Sequence, residues 1–145
     1  MNNYFLIFLV LIAFGCTSNR NKPAKSIKTA MTQLNIKNDQ FKSYTFLKNM
    51  YEDPYFPNFL VDKGKAILVE LCLKIEAQNP KKLQELYSLT HAATSRFNDL
   101  DDEFAENESE IETAARECIA EDFDFIAKSF GFEADVEELI ATREW

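Results

Sequence analysis

Glycine and proline are scarce in this chain, with three Gly and four Pro in 145 residues. With few backbone breakers and abundant Leu, Ala, Glu and Lys, the composition favours helix. Histidine is scarcer still. The single His, with no Cys pair at ligand spacing, argues against a zinc site. The Glu-x-x-His pairs of a di-iron bundle are absent, because position 88 is Ser. No nucleophile is marked, since the chain has neither Gly-x-Ser-x-Gly nor a Cys–His motif. Acid is missing from 17 to 37, where Arg20, Lys22, Lys25, Lys28 and Lys37 stand. All 24 acidic residues therefore fall in 38–145, beside eleven basic ones, a net charge of −13. Such a domain repels nucleic-acid phosphates and suits a basic protein or cations.

What is present divides the chain into three. Tyr4 to Phe14 is an apolar run of 11 residues. That is too short to span a bilayer comfortably as a helix, but it fits the core of a signal peptide. Gly15-Cys16-Thr17-Ser18 resembles the lipobox of bacterial lipoproteins, in which the Cys is lipidated and becomes the mature N-terminus. Phe14 stands where a small residue is usual, and Met1-Asn2-Asn3 lacks Lys and Arg. A secretory signal cut elsewhere and an uncleaved anchor are the other readings. The expectation is a signal peptide over 1–16 ending at a lipidated Cys16, which would hold the protein to a membrane of the bacterial cell envelope. Residues 17–37, polar and basic, read as a flexible tether. Residues 38–145 have the length and apolar content for one domain with a real core.

Within that domain, hydrophobic spacing predicts an all-α compact bundle of four to five helices. Phe41, Tyr44, Phe46, Leu47, Met50 and Tyr51 form a short helical stripe, stopped by Asp53-Pro54-Tyr55-Phe56-Pro57. Tyr51, Tyr55, Phe56 and Phe59 either fill the core or form an exposed aromatic rim. Leu60 to Ile75 repeats apolar residues at helical spacing, with Asn58 as a candidate cap and Gly64 as a mark of close helix packing. Asn79-Pro80 is expected to open the next helix, which runs to about Phe104. Ser109-Glu110-Ile111-Glu112 reads as a capping box opening a helix that returns to Phe130 and stops at Gly131. These two helices form the hairpin on which the bundle is centred. A last helix is expected over about Ala134 to Thr142.

Four strings carry a resemblance: Leu60-Val61-Asp62-Lys63-Gly64-Lys65, Leu89-Thr90-His91-Ala92-Ala93-Thr94, Ser109-Glu110-Ile111-Glu112-Thr113-Ala114-Ala115-Arg116-Glu117, and Glu138-Leu139-Ile140-Ala141-Thr142-Arg143. They resemble an uncharacterised bacterial family filed only as a domain of unknown function, from about Asn38 to Trp145. The resemblance implies a compact helical domain and no particular activity.

Three groups of residues are candidates for chemistry. His91, with Asp122 and Glu117, would make a His–carboxylate site in a hydrolase reading. The alternative is a structural polar link, in which His91 or Arg116 partners a buried Asp122. Asp99, Asp101, Asp102 and Glu103 crowd a helix C-terminus, where the macrodipole disfavours negative charge, and are candidates for docking a basic protein. Asp99, Asp101, Glu103 and Glu110 also match four positions of a calcium loop, but Phe104 stands where that loop needs Gly. Cys72 and Cys118 fall on apolar stripes of different helices; they could pair in an oxidising compartment, and the preferred reading is two packed thiols. The leading expectation is a membrane-anchored acidic protein-binding module of the immunity or inhibitor kind, with no cofactor and no bound metal. A hydrolase and a structural envelope lipoprotein are the alternatives.

Overall fold

The computed structural model describes residues 32–145. Cys16, the apolar run before it and most of the basic stretch lie outside the described residues. Among the described residues the chain is all helical and has no strand. Two 3-10 turns, Gln33–Asn35 and Asp39–Phe41, precede five helices: α1 Lys48–Glu52, α2 Asn58–Gln78, α3 Leu83–Ala105, α4 Thr113–Ser129 and α5 Val136–Leu139. None of them is long and apolar enough to cross a membrane.

The closest helix pair is α2 with α3, an antiparallel hairpin joined by a short turn. Gly64 explains the approach. A Cβ at this position would lie 2.9 Å from Leu47 Cδ1 and 3.2 Å from Phe97 Cε1. The Lys63–Glu103 and Arg96–Glu70 ion pairs cross the same seam at antiparallel register. The bundle is thus centred one helix earlier than the spacing suggested. Instead α3 and α4 meet through long side chains, such as the Phe97 and Phe123 rings at 6.2 Å. Five phenylalanines, Phe41, Phe46, Phe97, Phe104 and Phe123, are fully buried. Each stabilises by about 1.5–3 kcal/mol through burial alone, and Phe97→Ala at the hairpin seam would cost about 3–5 kcal/mol.

Several expected boundaries move. Ile36 is buried in the core and the Gln33 side-chain amide donates to the Tyr44 carbonyl at 2.7 Å, so residues expected in the tether pack with the domain. The stripe from Phe41 to Tyr51 is not one helix, because Leu47 sits in the left-handed region at φ 53° and only Lys48–Glu52 is α-helical. Asn58 is the first residue of α2 and Pro57 is its cap. Asn79 closes α2 at φ 49°, its N–H on the Ile75 carbonyl, and does not open α3. A short polar side chain tolerates the left-handed conformation, and here that use wins over N-capping. α3 starts at Leu83, where the Glu85 carboxylate takes the N–H groups of Lys81 and Lys82.

The capping box at Ser109 does not form. α4 begins at Thr113, and its cap residue Glu112 makes no side-chain cap bond. Ser109 is buried, its hydroxyl has no partner among the described residues, and its N–H returns to the Phe104 carbonyl at 3.1 Å. The residue closes α3 instead of opening α4. Gly131, by contrast, stops α4 as expected, at φ 83°. The last helix is shorter than expected and is capped by the Asp135 carboxylate on the Glu137 N–H at 2.8 Å.

Candidate functional site

Asp122 is the one buried carboxylate of the described residues. It lies on the inner face of α4, four residues after Cys118, and both side chains meet the start of α1. That helix begins without a side-chain cap of its own. The Leu47 N–H donates to Asp122 Oδ2 at 2.8 Å, and the Tyr44 hydroxyl donates to Oδ1 at 2.6 Å. The Asn49 and Met50 N–H groups face the Cys118 sulfur. Orphan donors at the head of a short helix are thus met from another helix. Tyr44 is held over the site by stacking on Phe125, with ring centroids 3.7 Å apart and planes 5° apart.

Burial raises the Asp122 carboxyl to about 6, and nearby Glu121 adds to the rise, while the Tyr44 and Leu47 hydrogen bonds pull the other way. Burial also pushes up the Tyr44 hydroxyl, with the hydrogen bond to Asp122 adding to it. The Cys72 and Cys118 thiols are pushed up by burial as well. Both are free cysteines packed in the core, so they are neutral and poorly nucleophilic.

His91 stands elsewhere. Its Nε2 lies 2.7 Å from the Glu138 carbonyl oxygen. A carbonyl only accepts, so Nε2 carries the proton and donates. The Thr142 hydroxyl donates to the His91 carbonyl at 3.2 Å, and the Asn98 amide donates to the Thr142 carbonyl at 3.0 Å. His91 therefore fastens α3 to the segment through α5. Glu117 is exposed and borders a cleft with Ala120, Glu121, Asp124 and Val136. No hydrogen bond joins His91, Asp122 and Glu117. The partners of Asp122 are Tyr44 and Leu47, in place of His91 or Arg116.

The acidic end is a second region. Asp99, Asp101, Asp102 and Glu103 all lie within α3, so they do not form a loop that could wrap a cation. Two of the four are engaged. Glu103 is ion-paired with Lys63, and Asp101 Oδ1 accepts the Ile111 N–H at 2.7 Å. Asp99 and Asp102 are exposed and make no side-chain hydrogen bond among the described residues. Beyond them Glu106, Glu108, Glu110 and Glu112 are also exposed. Glu108 sits at φ 58°, an uncommon conformation for a residue with a Cβ.

The same end carries exposed aromatic surface. Phe59 is 53% exposed and Tyr55 is 40% exposed. Phe59 precedes Lys63 by one turn of α2, and Lys63 is bonded to Glu103. Tyr55 rests edge-on against Phe56, which in turn packs edge-on against Phe104 of α3. The Tyr51–Phe59 cluster is therefore split, with Phe56 in the core and two rings outside, beside the acids. Sequence spacing did not mark this adjacency, because it depends on the packing of α2 against α3.

Fold and sites define an all-α bundle with an acidic, aromatic-edged end, in which His91 and Asp122 serve separate partners. Residues 40–145 match a family described only as a family of unknown function, DUF5713, and the chain belongs to it. Comparison with curated proteins and with solved structures returns no match.

Proposed function

We propose that this protein is an acidic protein-binding module, anchored to the cell envelope through Cys16, that docks a basic partner on the acidic end of the α2–α3 hairpin. The observation that carries this reading is the adjacency of Phe59 and Tyr55 to the acidic C-terminus of α3. Exposed aromatic rings supply apolar contact area, and surrounding carboxylates supply long-range attraction and register. α3 has no basic residue in its last turn, so its dipole and its acids reinforce one another in drawing a cation. Such a surface suits a cationic segment with apolar side chains on one face. The anchor rests on the Gly15-Cys16 ending of the apolar run.

The test uses a Lys- and Leu-containing amphipathic helical peptide as probe, followed by fluorescence anisotropy. Binding should weaken with salt, because exposed charges are screened over about 8 Å at physiological ionic strength. Asp99→Asn with Asp102→Asn should slow association at low salt. Phe59→Ser should speed dissociation at every salt concentration. Equal binding by all three proteins would remove this surface from the docking role. Palmitate incorporation that is lost in Cys16→Ser checks the anchor separately.

A further inference from the structure

The first described residues are tied firmly to the domain, yet they leave a large apolar side chain beside an open groove. The Gln33 amide donates to the Phe41 and Tyr44 carbonyls, the Lys37 and Asn38 N–H groups both donate to Glu76 Oε1, and Ile36 is buried. Leu34, within that tied stretch, is 83% exposed, the highest value for a large apolar residue among the described residues. Thr32 and Leu34 line a groove of about 510 Å³ together with Tyr44 and with Ala66 and Val69 of α2.

Thr32 sets the direction in which the chain arrives. Its backbone is extended, at φ −116° and ψ 154°, and Asn35 Oδ1 accepts from its N–H at 2.9 Å and from its hydroxyl at 2.7 Å. An apolar residue before such a cap commonly packs back on the turn that the cap opens, as a hydrophobic staple. That residue is Met31, and the buried Ile36 stands at the matching position of the turn. Ile27, Ala30 and Met31 have the spacing that places side chains on one side of a helical turn. The bases among them, Lys25 and Lys28, belong to a stretch without acid. Asp62 at the groove accepts the Tyr51 hydroxyl on one oxygen at 2.6 Å, and its other oxygen has no donor among the described residues.

We propose that this groove is the seat of the chain's own upstream segment, residues 27–31: Ile27 and Met31 pack on Leu34, Ala66 and Val69, and Lys28 meets Asp62. The reach is sufficient. Five residues before Thr32 span up to about 17 Å when extended, and the α2 wall from Asp62 to Val69 is about 10 Å long. Two bases also border the groove, and Lys42 is already paired with Asp39 at 2.5 Å. Repulsion from the other, Lys65, is a surface interaction, smaller than the gain from burying two aliphatic side chains. Seated in this way, the segment extends the domain upstream to Ile27 and leaves residues 17–26 as the length that separates Cys16 from the fold. The seat holds whether or not the acidic end docks a basic partner.

The experiment is limited trypsin digestion of the full chain, followed by mass spectrometry. Trypsin cuts after Arg20 and after Lys28, whereas Pro23 blocks the site after Lys22. Cleavage after Lys28 should be at least about tenfold slower than after Arg20, the protection expected from seating two aliphatic side chains. Dilution should leave that ratio unchanged. Ile27→Ser with Met31→Ser should bring the two rates together. Ala66→Gln, at an exposed position on α2, should do the same from the groove's side, while amide protection of the buried Phe97 stays as in the wild type. Equal cleavage at the two sites in the wild type would overturn the seat. So would protection that survives both variants, or protection lost on dilution, which would put a second copy of the chain in the groove.

Discussion

The C-terminal ends of α3 and α4 are closed by the same hydrogen-bond motif and filled by opposite residues. In each, a left-handed residue turns the chain, and the next N–H returns five residues: Ser109 to Phe104 at 3.1 Å, and Phe132 to Ala127 at 3.0 Å. The α4 end is well provided. Gly131 takes the left-handed position, Lys128 lies in the last turn, and the Asn38 amide donates to the Ser129 carbonyl at 2.8 Å. The α3 end has Glu108 in the left-handed position, no base in its last turn, and a buried Ser109 hydroxyl without a partner among the described residues. Backbone strain, dipole and desolvation all run against stability there. One chain thus contains a helix end suited to holding together and another that is not, and the proposed docking role would account for the second.

Exchanging the two solutions tests the contrast. Gly131→Glu gives α4 the residue that α3 uses; nothing lies within 4 Å of the added Cβ, so the cost is backbone strain together with a negative charge at the helix C-terminus. It should destabilise by about 1–2 kcal/mol, read as a lower urea midpoint at constant slope. An unchanged midpoint would mean that the left-handed turn is not maintained in solution. The converse change, Glu108→Gly, should stabilise by about 1 kcal/mol while lowering affinity for the cationic probe. A loss of stability would show that Glu108 makes a stabilising contact. The smallest effect belongs to Ser109→Ala. As a helix cap it would cost about 1 kcal/mol, but as a buried hydroxyl without a partner it should cost nothing measurable or stabilise slightly. A full loss would restore Ser109 to the start of α4.

Gly131 was legible and Glu108 was not for one physical reason. A glycine after an apolar stripe has few explanations other than a left-handed stop, whereas a glutamate there reads as helix surface. Asn79 misled because the same short amide suits both ends of a helix, and only the chain direction beyond it decides which. The Ser-x-x-Glu pattern at Ser109 was overridden by the Phe104 carbonyl and by Asp101, which takes the Ile111 N–H from ten residues away. The stripes of α2, α3 and α4 were readable because helical periodicity is local. The four acidic candidates were readable as a cluster, but their division into engaged and free members was not, since Lys63 reaches Glu103 across the hairpin.

By itself the sequence determined the helical class, the placement of the acid, the need for close packing at Gly64 and the apolar burial of both core cysteines. These follow from composition, period and the absence of a side chain, which act over a few residues. Tertiary structure alone decided that Asp122 would face Tyr44 and Leu47, that His91 would serve a carbonyl on α5, and that Lys63 would reach Glu103 across the hairpin. Each depends on which helix packs on which, through contacts 40 to 80 residues apart in the chain. A buried polar group announces that it needs a partner; only the fold supplies the partner's address.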